Sequence, residues 1–221
     1  MRTVRAPRKK ILRPGSLEEP AIPARRGKPP PAQPGRVRIV GGIYRRTPIG
    51  VVDAPGLRPT PDRVRETVFN WLEHLFGGLA GRCALDLFAG SGALGFEMAS
   101  RGAQRVLLVD THAQAVAALL ALRTRLGAST VEVMRADWEA ATARLAPASF
   151  DIVFLDPPFD SGLLPRALAA ARRVLKPNGL IYAEYAPGAG PQGPGAAAGL
   201  EVVRSGKAGA VVFELLREPG S

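Results

Sequence analysis

The chain has 221 residues, of which 46% are hydrophobic, so it is long enough for one domain with a sizeable core and too short for two full domains. Its single cysteine, Cys83, excludes an intramolecular disulfide, and no apolar run approaches the roughly 20 residues of a membrane-spanning helix, so we expect a cytoplasmic protein without a metal site. The formal net charge of +11 indicates a polyanionic partner.

The excess positive charge lies in the first 65 residues. Residues 1–36 contain ten Lys or Arg against two Glu, and residues 37–65 contain six against two Asp, whereas the rest is almost neutral. The first 36 residues also hold eight of the 21 prolines and show no apolar periodicity. This composition predicts a disordered basic tail. The alternatives are a solvated extension without function and an organelle address, for which the segment is rich in proline.

A basic hairpin and a helix are predicted next. Apolar and polar residues alternate around Gly41 and Gly42 in the stretch RVRIVGGIYRRTPIGVV, which is typical of a β-hairpin with a basic polar face. Thr60 is predicted to cap a helix that has Pro61 at its first position, because apolar residues at helical spacing follow. We expect three parts: the tail (residues 1–36), a basic hairpin extension that faces the polyanion (residues 37–60) and the main domain (residues 61–221).

Apolar runs then alternate with helical patterns. Strands are predicted at residues 83–88, 106–110, 131–135, 152–156 and 180–185, and helices at residues 93–101, 113–126 and 163–175, the last ended by Pro177-Asn178-Gly179. This alternation indicates parallel strands joined by right-handed crossovers, with helices on both faces of a sheet. Residues 200–204 and 210–216 are consecutive predicted strands, so we expect an antiparallel hairpin at the sheet edge.

The strongest local motif is a glycine-rich turn after the first of these strands. The sequence DLFAGSGALG begins at Asp86 and contains Gly90 and Gly92. Glycines let a ligand approach the backbone, and free N–H groups at a helix start favour an anion, but the GxGxxG spacing alone is a weak signal. Asp86 favours a ligand with a cationic amino group, such as the methionine end of S-adenosylmethionine (SAM), over a pyrophosphate. A tight turn with a capping acid is the alternative.

Two later strand ends also carry acids. Asp110 ends the second strand 20 residues after Gly90, where an acidic side chain can bind both hydroxyls of a ribose. This spacing fits SAM and NAD equally. After the third strand, Asp137 is a candidate to accept a hydrogen bond from an adenine amino group, and Trp138 is a candidate to cover the adenine ring.

The fourth strand ends in Asp156-Pro157-Pro158-Phe159, the motif that best separates the possible functions. The two prolines fix the backbone and lack N–H groups, so the strand stops and Asp156 is held at a defined place beside the ligand. Methylation of a base amino group needs an acceptor for its developing positive charge and a ring, here Phe159, on which the displaced base stacks. A plain turn with a packed Phe is the alternative.

Together, the DLFAGSGALG turn, the DPPF motif and the stretch RIVGGIYRRTPIGVVDAPGLRPTPDRVRETVFNWL resemble the RsmD family, bacterial 16S rRNA (guanine-N2)-methyltransferases. The resemblance covers roughly residues 37–217. It implies an α/β chain with the class I SAM-dependent methyltransferase (Rossmann-like) fold: a seven-stranded, mostly parallel sheet with an antiparallel edge strand and helices on both faces. It also implies that the substrate is a guanine of 16S rRNA in the assembling 30S subunit. We expect a monomer.

The motifs and the resemblance together indicate a set of site residues. Those for SAM are Thr60, Asp86, Phe88, Ala89, Gly90, Ser91, Gly92, Asp110, Thr111, Asp137 and Trp138. Those for the transfer are Asp156, Pro157, Pro158 and Phe159, and those for RNA are Arg38, Arg45, Arg46, Arg58, Arg63 and Arg65. His112 stands where such enzymes often have an acid, and we expect an ordinary surface or capping residue.

Other functions share part of this pattern. A nicotinamide-dependent oxidoreductase shares the glycine turn and Asp110 but does not explain Asp86 or DPPF. Methyltransferases of adenine N6 or of protein glutamine carry a related tetrapeptide that usually ends in Tyr. A non-catalytic RNA-binding assembly factor would have no need of intact site acids. We expect direct in-line transfer without a covalent intermediate, because Cys83 lies too early in its strand and no His or Lys accompanies Asp156.

Overall fold

The described part of this computed structural model is built around one large sheet. The structure describes residues 36–50, 60–188 and 193–220, and these belong to one compact unit that begins at Gln33. Except for Arg36, the predicted tail lies outside the described residues, as does Arg58. Among the helices that the structure describes, none has the length and apolar character needed to cross a membrane.

The elements are numbered in chain order. The strands are β1 (Arg36–Arg38), β2 (Pro48–Gly50), β3 (Cys83–Asp86), β4 (Arg105–Asp110), β5 (Val131–Arg135), β6 (Phe150–Leu155), β7 (Leu175–Tyr185), β8 (Glu201–Ala208) and β9 (Val211–Arg217). The helices are α1 (Asp62–Phe76), α2 (Ala93–Ser100), α3 (Ala113–Leu126), α4 (Trp138–Arg144), α5 (Leu164–Val174) and α6 (Gly193–Ala197). A 3₁₀ turn spans Phe159–Ser161.

The large sheet has seven strands in the order β5-β4-β3-β6-β7-β9-β8. The first five run parallel, and β9 runs antiparallel to both of its neighbours. The predicted mostly parallel α/β sheet and its terminal antiparallel hairpin are therefore confirmed. The reversed strand β9 lies one position inside the edge, and β8 forms the edge itself.

Helices cover both faces of this sheet. Successive strand residues point to opposite faces, which divides the apolar side chains into two clusters. Ala84 and Val106 pack on the face that α1, α2 and α3 cover, whereas Leu85 and Leu107 pack on the face that α4 and α5 cover. The central strand β6 is buried at every position, as expected for a parallel strand with helices on both sides. The carboxyl ends of the central strands are thereby held in fixed positions.

A separate two-stranded sheet, β1 and β2, packs beside α2. Val37 and Ile49 pair across it, and both side chains are buried in the cluster that also contains α1 and α2. The buried carboxylate of Glu97 in α2 accepts hydrogen bonds from the backbone N–H groups of Val40 and Gly41, each 2.7 Å long. These bonds fix the β1–β2 hairpin to the helix.

The end of α2 makes a second set of contacts with the hairpin. The Ser100 carbonyl oxygen accepts a hydrogen bond from the Ile43 N–H at 2.8 Å, and the Ser100 hydroxyl accepts one from the Tyr44 N–H at 2.9 Å. Gly42 has φ +70°, and a Cβ there would lie 1.8 Å from the Ser100 carbonyl oxygen. Only glycine therefore fits where the hairpin backbone meets the helix.

Several local predictions differ from the structure. The strand β3 ends at Asp86 rather than at residue 88, and β8 continues to Ala208 rather than ending at residue 204, because its pairing with β9 extends that far. Thr60 does not cap α1, because Pro61 occupies the cap position without a side-chain bond and the Thr60 hydroxyl donates to Glu184 instead. The helix α4 was not predicted, because seven residues give too little periodicity. The strand β7 begins at Leu175, which pairs with Phe150, so the chain enters the sheet before the expected proline-glycine break.

Candidate active site

Three aspartates meet where neighbouring parallel strands end. The strand β3 lies between β4 and β6, and all three run in the same direction. Asp86 ends β3, Asp110 ends β4, and Asp156 directly follows β6. Ligands of open α/β sheets bind at this edge. The topology therefore places Asp86 between the other two acids.

The predicted glycine turn connects β3 to α2. Gly90 has φ +50° and Gly92 has φ +79°, a left-handed backbone that side chains disfavour. A Cβ on Gly92 would lie 2.5 Å from a Leu119 methyl carbon, so the turn also needs glycine for packing. The predicted residues Phe88, Ala89 and Ser91 lie in this same turn.

Asp86 is buried beneath the turn with part of its carboxylate unpaired. Its side chain is 2% exposed, and Oδ1 has no hydrogen-bond partner among the described residues. Burial raises the pKa of Asp86 to about 7, and backbone hydrogen bonds from Phe88 and Gly95 oppose that rise. A buried acceptor without a partner fits a cationic ligand group that would complete its hydrogen bonding.

Asp110 is held by two backbone hydrogen bonds. Its Oδ2 accepts from the Gly90 N–H at 2.8 Å, and its Oδ1 accepts from the His112 N–H at 2.7 Å. Each carboxylate oxygen keeps a further lone pair for a diol, and the aspartate is already oriented. His112 takes part through its backbone, at the cap position of α3, and Thr111 beside it is exposed.

The predicted adenine site is only partly supported. Asp137 caps α4 by accepting from the Glu139 N–H at 2.8 Å, and its side chain is exposed. The prediction that Trp138 covers an adenine ring is wrong in this structure. Its side chain is 6% exposed and packs in the core against Phe88, with ring centroids 6.1 Å apart, and Arg166 lies over the indole. The indole ring is buried because it packs with the apolar residues of β3 and α5 rather than facing the ligand site.

The DPPF loop leaves the sheet beside Asp86. Asp156 is partly exposed, Pro157 is buried, and Pro158 begins the 3₁₀ turn that carries Phe159 outward. Phe159 is 44% exposed, which is unusual for a large aromatic side chain. Burial and then the charges of Glu184 and Asp86 raise the pKa of Asp156 well above its ordinary value.

A group that the motif analysis missed lies behind Asp156. Glu184 on β7 is 4% exposed, and its Oε1 accepts hydrogen bonds from the Thr60 hydroxyl, at 2.8 Å, and from the Tyr182 hydroxyl. Thr60, predicted to contact SAM, is thus a buried partner of Glu184. The sequence did contain a sign of this contact: Glu184 is a charged residue inside the apolar strand sequence LIYAEY, and a buried charge requires a partner.

The described arginines of the predicted RNA surface fall into two groups. Arg38, Arg45, Arg46 and Arg63 are exposed, although Arg38 also pairs with Asp62 at 2.8 Å. The prediction that Arg65 contacts RNA is wrong, because its side chain is fully buried.

The Arg65 guanidinium is held inside the protein by several partners. It lies 2.6 Å from the Asp62 carboxylate and 3.7 Å from that of Glu97, and it donates to the carbonyl oxygens of Arg38 and Thr60. Arg65 therefore joins the hairpin, α1 and α2 rather than facing a ligand.

The sheet order, the glycine turn above a buried acid and the DPPF loop one strand away define a class I methyltransferase. The family model described as Conserved hypothetical protein 95 matches residues 37–217. The chain therefore belongs to this family, and the resemblance found in its motifs is confirmed.

Individual relatives agree with this assignment. Ribosomal RNA small subunit methyltransferase D of Escherichia coli K12 is 39% identical over 163 residues, which cover 71% of this chain and 78% of that protein. The protein of the same name from Haemophilus influenzae is 38% identical over 159 residues, 70% of this chain and 81% of that protein. The solved structure of yhhF from Escherichia coli superposes with a TM-score of 0.69 at 35% identity, covering 83% of this chain and 99% of that one.

Proposed function

We propose that this methyltransferase moves a methyl group from SAM to the exocyclic N2 of a guanine in small-subunit ribosomal RNA during 30S assembly, acting as a cytoplasmic monomer. The names of the relatives support ribosomal RNA as the substrate. The observation that carries the proposal is the position of Asp156 and the exposed ring of Phe159 one strand from the buried, unpaired oxygen of Asp86.

The residues at the strand ends fit SAM. Bound SAM supplies a methyl group activated by a sulfonium. Asp86 would accept a hydrogen bond from its ammonium group, and the glycine turn would admit the methionine backbone. Asp110, already oriented by two N–H groups, would bind the ribose hydroxyls, and Asp137 would accept from the adenine amino group.

The same residues argue against a dinucleotide. A pyrophosphate at the glycine turn would lie beside the buried carboxylate of Asp86, and two anionic groups there would repel each other. Calorimetric titration with SAM and with NAD separates the two cofactors. We expect SAM to bind and NAD to give no signal, and tight NAD binding would contradict the proposal.

Asp156 and Phe159 would act on the target base. Phe159 offers a face on which a displaced guanine stacks, and Asp156 accepts a hydrogen bond from its amino group and then the proton that this group loses. The exposed Arg45, Arg46 and Arg63 would contact phosphates near the site.

The experiment that tests the proposal maps modified bases by mass spectrometry. Ribosomal RNA from cells lacking this gene should lack one N2-methylguanine, and purified protein with SAM should restore it on immature 30S particles. Methylation of an adenine N6, or of a glutamine in a release factor, would replace the proposal with one of those activities.

A further inference from the structure

A hydrogen-bonded cluster lies next to Asp156, on the side of the candidate active site where the target base would bind. It consists of Thr60, Tyr182 and Glu184, which are 6%, 0% and 4% exposed. The hydroxyls of Thr60 and Tyr182 both donate to Glu184, and Asp156 lies beside this cluster at the end of the neighbouring strand. Nothing in the binding of the cofactor or the base requires a second buried carboxyl at this point.

The sheet register explains why the two carboxyls are close. Leu155 on β6 pairs with Ala183 on β7, so the next residues along the two parallel strands are Asp156 and Glu184. Asp156 and Glu184 therefore lie side by side on adjacent strands, and the charge of Glu184 raises the pKa of Asp156 after the larger effect of burial.

We propose that Glu184 is a positioning residue for Asp156: the two carboxyls, which lie side by side at the ends of β6 and β7, share one proton and act as a pair in taking up the proton released from the target amino group. This inference rests on the proposed function for its chemistry. The sharing of the proton, in contrast, is a property of the protein alone.

The charges around the pair make a shared proton necessary. Asp86 on β3 adds a third acid, and burial raises the pKa of Glu184 as well as that of Asp156. Two adjacent carboxyls, one of them buried, cannot both ionise without a large electrostatic cost.

Neighbouring groups do not remove this cost. The Tyr182 hydroxyl stabilises Glu184 by donating to it, and burial raises the pKa of Tyr182 well above its ordinary value, so Tyr182 stays neutral. A nearby cation, Arg65, already pairs with Asp62 and Glu97.

A pair with one shared proton can account for every proton in the transfer. The amino nitrogen bonds to the methyl carbon as the bond between that carbon and sulfur breaks, and the electron pair of that bond stays on sulfur. The nitrogen becomes positively charged and loses one proton. The Asp156–Glu184 pair, with one proton and one negative charge, accepts it, becomes neutral, and returns it to solvent after the product leaves. Because the pair carries only one proton, one carboxylate stays ionised and can accept the released proton, even though burial disfavours a charge at this place.

The first test follows protonated carboxyl groups by infrared difference spectroscopy of the free protein over a pH series. In Glu184→Gln, the high-pH titration of the carboxyl signal should move to lower pH by about one unit or more, because the neighbouring negative charge is gone. Thr60→Val removes only the hydroxyl, which lowers the pKa of both carboxyls, so it should shift the titration to higher pH and serves if Glu184→Gln folds poorly. Unchanged titration in both variants would overturn the proposal.

The matched control is Glu214→Gln. Glu214 on β9 is also buried, at 6% exposure, but it pairs with Ala183 and therefore lies on the opposite face of the sheet from Glu184. Replacing Glu214 should not change the pH at which the Asp156–Glu184 pair loses its last proton. A shift as large as that of Glu184→Gln would overturn the assignment to this pair.

The second test measures the pH dependence of single-turnover methyl transfer to immature 30S particles. The acid limb of the rate profile should move to higher pH in Glu184→Gln, because the single carboxyl of Asp156 titrates between the two steps of the pair and is already protonated at a pH where the pair still holds one charge. A lower rate with an unmoved acid limb would indicate a purely structural role and overturn the proposal. If the protein methylates no RNA, the proposed function fails while the infrared test still decides whether the carboxyls share a proton.

Discussion

Asp156 carries the largest expected effect of any single residue on the chemistry. Asp156→Ala removes the acceptor for the amino proton but none of the groups that hold SAM, so turnover should fall by about 10²-fold or more while SAM affinity stays within a few-fold. Methyl transfer assays together with calorimetry test this. Loss of SAM affinity with residual turnover would assign Asp156 to the cofactor instead.

Asp86 gives a prediction about stability and pH. A carboxyl whose pKa rises from 3.8 unfolded to about 7 folded destabilises the protein as pH rises through that window, because the unfolded state releases its proton first. Asp86→Asn has no such cost. The difference in unfolding free energy, variant minus wild type, should grow by about 2–3 kcal/mol between pH 5 and pH 8.

Urea unfolding without SAM at both pH values measures this difference. Asp151→Asn is the matched control: although burial opposes it, hydrogen bonds from Lys176 and the Cys83 N–H lower the pKa of Asp151, so this carboxyl is ionised in the folded and the unfolded protein from pH 5 to pH 8 and the difference should stay constant. A constant difference for Asp86→Asn would mean that its carboxyl is ionised in the folded protein at pH 5.

The motif residues could be predicted because local sequence determines their positions. Asp86 and Asp156 lie at or directly after strand ends, and Gly90 lies in the turn after β3, where short segments with glycine or proline fix the backbone. Glu184 and Arg65 could not be predicted in the same way. Their partners lie 124 and 32 residues away along the chain, at Thr60 and Glu97, and only the folded sheet brings them together.

At the scale of elements, the contact between the β1–β2 hairpin and α2 depends on one glycine. Gly42→Ala adds a methyl group that would overlap the Ser100 carbonyl oxygen, at a backbone φ of +70° that alanine disfavours. We expect a loss of about 2–4 kcal/mol in unfolding free energy, or local release of the hairpin. Urea unfolding and limited proteolysis distinguish these two results.

Gly50→Ala is the control for that substitution. Gly50 lies in β2 of the same hairpin, and a Cβ there would have no neighbour within 4 Å. It should change stability by less than about 1 kcal/mol. Equal losses from the two substitutions would show that the Ser100 contact is not what makes Gly42 necessary.

Sequence periodicity predicted most elements of the sheet, and the exceptions have physical causes. The strand β5 and the helix α3 agree with prediction at both ends, because each has a clear apolar pattern between turn residues. The start of β7 was missed because Pro177 and Gly179 suggested a loop. Pairing of Leu175 with Phe150 overrides that local preference.

At the scale of the whole molecule, the positive charge should determine how RNA binding depends on salt. Each lost phosphate contact lowers the slope of log K against log salt by about 0.7–0.9. Arg45→Ala with Arg46→Ala should reduce that slope by about 1–2, measured by filter binding to a 16S rRNA fragment. Arg144→Ala, an exposed arginine in the last turn of α4, should leave it unchanged.

Removal of residues 1–35 tests the basic tail in the same assay. This truncation leaves β1 complete, so the fold of the described residues should be preserved. If the tail contacts phosphates, the slope should fall by several units, because the removed segment contains nine Lys or Arg. An unchanged slope would mean that the tail does not contribute to RNA binding.

The short helix α2 joins two working parts of the molecule. Its first residue follows the glycine turn, and its last residue, Ser100, holds the hairpin. Eight helical residues span about 12 Å, a length that cannot change without breaking backbone hydrogen bonds. The helix therefore acts as a rigid spacer between the glycine turn and the hairpin. An insertion of one turn should move the SAM site away from RNA bound at the hairpin, even though every side chain at either end of the helix is intact.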